Sequence, residues 1–174
     1  MLGRLCIIAI VTVLGSSSTG CISPSNPTDD EFTGTAARDR ILQLTHKTAS
    51  ALPVSAKKFY AYDGGSFNGS MTYWAFDCDS RQDCLSALEN LTGIQESELT
   101  HWVPSQYAVV MQGPSYYATE LSSTDWKVAS ITKGLVYERV EGDRQMYYYA
   151  VDLDRNRVYF HRESGGFPTD RYRP

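Results

Sequence analysis

The spacing of hydrophobic and polar positions changes several times along these 174 residues, and each change marks an element. The clearest spacing is two. Between Met71 and Cys78, Thr72, Trp74 and Phe76 alternate with Met71, Tyr73 and Ala75, so both sides of the stretch carry apolar groups. This predicts an interior strand, covered by helix on one face and partly shielded on the other. Lys58 to Tyr62 is a second aromatic, β-prone run. The intervening Asp63 to Ser70, with Gly64, Gly65 and an Asn68-Gly69 dipeptide, predicts the turn of a hairpin. Towards the C-terminus, Leu135 to Val140, Gln145 to Leu153 and Arg157 to Arg162 are again β-prone. They are separated by Glu141-Gly142-Asp143-Arg144 and Asp154-Arg155-Asn156, both turn sequences. In the middle run Tyr147, Tyr149 and Val151 share one face, and Met146, Tyr148 and Ala150 the other.

Elsewhere the spacing is three to four. Ala37, Ile41, Leu44 and Thr48 predict a helix over Thr35 to Ala51, capped by Thr33 or Thr35 and ended before Pro53. Leu85, Leu88 and Leu91, with Cys84, predict a second helix that opens at Asp79 or Ser80 and stops at Gly93. Tyr107 to Met111 reads as a strand ending at Gly113-Pro114. Glu96 to Pro104 reads as a helical turn anchored by Trp102, and Asp125 to Ile131 as one or two turns around Trp126. Gly165 to Pro174 is a polar tail. The fold class expected is α+β: an antiparallel sheet with helices packed on one face and a C-terminal β-meander.

The N-terminus follows neither spacing. Arg4 is a short positive head, Leu5 to Leu14 is apolar apart from Thr12, and Gly15 to Gly20 is small and polar. That is the order of a secretory signal peptide, and its apolar run of about ten residues is too short to span a bilayer. The leader ends Ser18-Thr19-Gly20-Cys21, which resembles the lipobox of bacterial lipoproteins. In that family a small residue precedes a cysteine that receives a diacylglycerol and becomes the first residue after cleavage. Thr19, Gly20 and Cys21 fit, whereas Ser18 stands where an aliphatic residue is usual. The resemblance implies lipidation at Cys21, export, and attachment in a bacterial cell envelope. Ile22 rather than Asp after the cysteine implies the outer membrane, facing the periplasm. Ordinary cleavage near Ser18 or Gly20, releasing a soluble protein, is the alternative.

Three regions follow: residues 1–20 as signal peptide, 21–34 as lipidated cysteine and flexible linker, and 35–174 as a single domain. An aromatic content of 12%, mostly Tyr, suits a sheet. The formal charge is −4, or −5 once Arg4 leaves with the leader. No basic cluster in the sequence offers the positive footprint a nucleic acid needs. Attachment to a membrane therefore falls to the lipid anchor.

Of the four cysteines, Cys6 leaves with the leader and Cys21 is the acylation site, so Cys78 and Cys84 form the expected disulfide of an exported chain. Their C-x5-C spacing is not that of a redox dithiol. His46, His101 and His161 fall in three separate elements and read as surface or core-edge residues. There is no H-E-x-x-H, G-x-S-x-G or S-x-x-K motif. Asp77, Asp79 and Asp83 read as helix-capping groups. Asp152-Leu153-Asp154-Arg155-Asn156 has the alternating oxygens of a calcium loop but lacks the central Gly and closing Glu, and reads as a hairpin turn. Phe67 and Tyr116-Tyr117 are candidate sticky aromatics for a partner or glycan.

No catalytic residue, metal ligand or cofactor-binding residue is assigned. The function expected is a lipid-anchored, non-enzymatic structural or binding module with a protein or glycan partner. The alternatives are a secreted hydrolase with an unrecognised site and a calcium- or glycan-binding module.

Overall fold

The computed structural model describes residues 30–66, 69–111, 126–142 and 145–165. The signal peptide, Cys6, Cys21, most of the linker, Phe67, Tyr116-Tyr117 and all but the first residue of the tail lie outside them. The described chain forms one seven-stranded antiparallel sheet with a few helices.

The predicted hairpin is its middle. Strands β2 (Lys57–Ser66) and β3 (Gly69–Asp77) pair antiparallel, and β3 continues into the meander through β7 (Arg157–Gly165). The meander is completed by β6 (Gln145–Asp152) and β5 (Gly134–Glu141). Two short strands close the edges. They are β1 (Asp30–Thr33) beside β2 and β4 (Thr100–His101) beside β5, giving the order β1-β2-β3-β7-β6-β5-β4.

Strand β1 corrects the linker, which was expected to stay flexible through residue 34. Phe32 lies opposite Ala61 and packs against the core beneath α1, giving this end of the segment an apolar anchor. The first helix, α1, is Gly34–Thr45 and stops well short of Ala51. His46 turns left-handed at φ 55°, its N–H bonds Gln43 O and the Lys47 N–H bonds Leu42 O. Those two bonds close a Schellman motif, normally announced by glycine and here carried by a histidine. Ala49–Ala51 then makes a separate 3₁₀ turn. Helix α2 (Arg81–Thr92) matches its prediction. The Ser80 hydroxyl accepts the Asp83 N–H at 3.1 Å, and Gly93 ends the helix at φ 82°, where a side chain would be strained.

Tyr107 to Met111 is helix, not strand: α3 spans Pro104–Met111. Pro104 supplies a pre-set φ at the first helical position, and the Val103 carbonyl accepts the N–H groups of Gln106 and Tyr107. Tyr107, Val110 and Met111 then share the buried face at helical spacing. A five-residue apolar run fits either element, and tertiary burial decides between them.

The sheet is covered on both faces, which corrects the expectation of helices on one. Helices α1 and α2 pack over Ala61, Trp74, Phe76, Val151, Val158 and Phe160. Helix α3 and the 3₁₀ turn Val128–Ser130 pack over Tyr60, Met71, Tyr73, Tyr148 and Tyr159, joined by Trp102 and Trp126. The reading of β3 as an interior strand holds on both sides.

Candidate functional site

Alternation along β7 sends Val158, Phe160 and Arg162 to the face carrying α1 and α2, and Tyr159, His161 and Glu163 to the opposite one. The first set builds a groove.

Antiparallel register lays two rows across the sheet at the end that α1 and α2 leave uncovered. One row is Trp74, Phe160, Tyr149 and Tyr137, and the next is Thr72, Arg162, Tyr147 and Arg139. Ring centroids stand 4.9 Å apart for Trp74–Phe160, 4.8 Å for Phe160–Tyr149 and 6.2 Å for Tyr149–Tyr137, so the floor is a continuous aromatic strip. Leu44 and Thr45 from the last turn of α1, and Leu91 and Thr92 from that of α2, form the walls around about 240 Å³. A second hollow of about 170 Å³ shares Thr92, Tyr147 and Tyr149 and extends to Ile94, Arg139 and Glu141.

Arg162 is the charged feature of this groove. Its guanidinium lies over the Tyr147 ring, 5.7 Å from the centroid, and its buried Nε has no hydrogen-bond partner among the described residues. The carboxylates nearby are taken: Asp63 by Arg40 and the Thr72 hydroxyl, and Glu141 by Arg139. Burial pushes the Tyr149 hydroxyl up to about 12, so it is a neutral donor at the floor. Ring faces, hydroxyls and an unpaired cation suit recognition. No nucleophile–base pair lines the groove among the described residues.

The opposite face holds a polar pair that sequence reasoning missed. His161 lies between Tyr73 and Tyr148, and Glu163 between Met71 and Met146. Both are buried, at 0% and 1% exposure. Tyr73 stacks on the imidazole at 4.5 Å, and Trp126 meets Tyr73 edge-on. The His161 Nε2 and Glu163 Oε2 are 3.8 Å apart, and the Glu163 carboxyl has no hydrogen-bond partner among the described residues. Burial lowers the imidazole to about 3, against a weaker pull from the Val110 carbonyl, and raises the Glu163 carboxyl to about 7. Both groups are therefore neutral over most of the acidic range. The sequence signal was present, because His161 and Glu163 share a parity with Tyr159 on a strand between two others. A histidine beside a carboxylate would suit a hydrolase, but no solvent reaches this pair.

His46 and His101 are exposed, on the α1 terminus and on β4, and line neither site. Cys78 and Cys84 are both buried and are free thiols here. The Cys78 thiol beside it, and burial, push the Cys84 thiol up. The acidic clusters are spent locally. Asp77 pairs with Arg157 and Lys58, Asp79 with Lys57, and Asp83 accepts from Ser55. Asp152 accepts the N–H groups of Asp154 and Arg155, as expected of a hairpin turn. Among the described residues no group of three His, Cys, Asp or Glu could hold a metal ion. No helix among them is long and apolar enough to cross a membrane.

No family model and no curated protein matches this chain. Among solved structures, the extracellular domain of PknH from Mycobacterium tuberculosis is similar over 85% of this chain and 74% of that one. The identity is 7% and the TM-score 0.31, too distant a likeness to carry a function across.

Proposed function

We propose that this chain is an exported, lipid-anchored envelope protein, and that its folded domain is a non-enzymatic binding module with the aromatic groove as its ligand seat. The leader supports export, and Thr19-Gly20-Cys21 supports a diacylglycerol on Cys21. Ile22 after that cysteine favours the outer membrane, with the domain facing the periplasm. Cys78 and Cys84 lie close enough that an oxidising compartment would join them, fixing the start of α2 to the end of β3.

The observation that carries the binding reading is the strip Trp74, Phe160, Tyr149 and Tyr137 beside an Arg162 guanidinium with no carboxylate of its own. Flat ring faces receive the C–H faces of sugar rings, and a guanidinium takes a carboxylate with two parallel hydrogen bonds. The ligand this favours is a glycan that carries an acidic sugar.

Intact mass of the mature chain from its native host tests the anchor. A chain that begins at Cys21 with diacylglycerol mass, and lacks two protons at the remaining thiols, is expected. Mature protein starting elsewhere without lipid ends the anchor reading. Titration with acidic oligosaccharides, followed by NMR, tests the groove. Arg162→Ala is expected to weaken saturable binding about tenfold. Unchanged binding in Arg162→Ala and Tyr149→Ala would move the ligand to another surface.

A further inference from the structure

Lys58, Asp77, Lys127, Arg155, Arg157 and Tyr159 line a pocket of about 170 Å³ on the α3 face, at the end of the sheet away from the groove. They come from separate parts of the chain. Lys58 sits in the bulge of β2 at φ 51°, Lys127 follows Trp126, Arg155 belongs to the β6–β7 turn, and Arg157 opens β7. The sequence therefore shows no basic cluster, and the fold assembles one.

The charges there do not balance. Asp77 takes Arg157 at 2.5 Å and Lys58 at 3.1 Å, while Arg155 reaches Asp152 at 3.5 Å. Lys127 has no ion pair among the described residues, and within those residues four cations face two carboxylates, an excess of two positive charges. At the base lies the buried Tyr159 hydroxyl, with the Arg155 side chain beside it. Burial keeps that hydroxyl protonated despite the nearby arginines, so it is a donor facing a cationic hollow.

We infer that this pocket binds a phosphate-type dianion. Its charge would match the excess, and its oxygens would accept from Lys127, Arg155 and the Tyr159 hydroxyl. A phosphate on a soluble molecule or polymer fits better than one on a lipid headgroup. The described chain enters the sheet at Asp30, opposite Asp63, whereas Lys58 lies at the other end of β2. A tether on the N-terminal side therefore leaves from the groove end.

The test titrates the full chain with inorganic phosphate and pyrophosphate by calorimetry, against sodium chloride at equal ionic strength. Saturable binding with a Kd of about 1 mM or tighter is expected, weakened about tenfold by Lys127→Ala and by Arg155→Ala. Lys127 is exposed, so its removal leaves the fold intact, and Arg81→Ala is the remote control. A response no larger than that to chloride, or equal binding in both pocket variants, overturns the inference. A separate arm offers the Cys21→Ser chain to phosphatidylglycerol and phosphatidylcholine vesicles. Pocket-dependent capture by the anionic vesicles without binding of free phosphate would overturn the soluble source in favour of a headgroup.

Discussion

Strand β7 carries two different surfaces on one backbone. Its even-numbered residues lead from a buried Val158 through Phe160 to Arg162, from dry core to open groove. Its odd-numbered residues, Tyr159, His161 and Glu163, stay buried throughout, yet all three are ionisable, and the Glu163 carboxyl has no hydrogen-bond partner among the described residues. The first face stores stability in aromatic contact and ends in a cation exposed enough to meet a ligand. The second encloses polar groups that oppose folding whenever they charge. Proximity to the core therefore says little about what a side chain contributes. The partner it finds there decides the sign.

The largest expected contrast is between Phe160→Ala and Glu163→Met. Phe160 is wedged between Trp74 and Tyr149, and its truncation should cost about 3–5 kcal/mol in urea unfolding. Glu163→Met should instead stabilise by about 1–3 kcal/mol above pH 7, since it removes a buried carboxylate that has no hydrogen bond. Equal losses from both would erase the distinction between the faces.

The pH dependence sharpens it. The Glu163 carboxyl is raised from 4.5 to about 7, so the folded state keeps a proton that the unfolded chain loses, and stability falls as pH rises across that window. The His161 imidazole is lowered from 6.5 to about 3, so the unfolded chain gains a proton that the folded state refuses, and stability falls as pH drops across that one. Between 4.5 and 6.5 the two slopes cancel. With only the histidine left to titrate, Glu163→Gln should gain stability from about pH 3 up to 6.5 and then level off, and with only the carboxyl left, His161→Phe should lose it from pH 4.5 towards 7. Thermal melts across this range read the difference, and parallel curves for all three proteins would mean the pair does not titrate.

The smallest effect on stability belongs to Arg162→Ala. Arg162 makes no ion pair among the described residues, and its stacking on Tyr147 is at a partly exposed site. Its removal should shift unfolding by less than about 1 kcal/mol, while the groove loses its cation. A large destabilisation would make Arg162 a structural residue and leave the groove without its recognition element.

Much of the fold was written locally. The period-two pattern of Met71 to Cys78 and of Gln145 to Leu153 names the strands and the face each residue takes, because a pleated backbone alternates without reference to its neighbours. Ser80 and Gly93 bracket α2 for the same kind of reason, since capping bonds reach only three or four residues. Other features needed the assembled chain. Tyr107 to Met111 became helix because the Tyr73–Tyr148 face needed cover. His46 ended α1 without the glycine that would have announced it. Both candidate sites depend on register: Arg162 meets Tyr147, and Lys58 shares a pocket with Lys127, Arg155 and Arg157, only after distant strands pair. Composition and short spacing record which residues a chain carries and the face each is offered. Which charges are left unpaired, and where, is set by long-range pairing, and no local pattern encodes it.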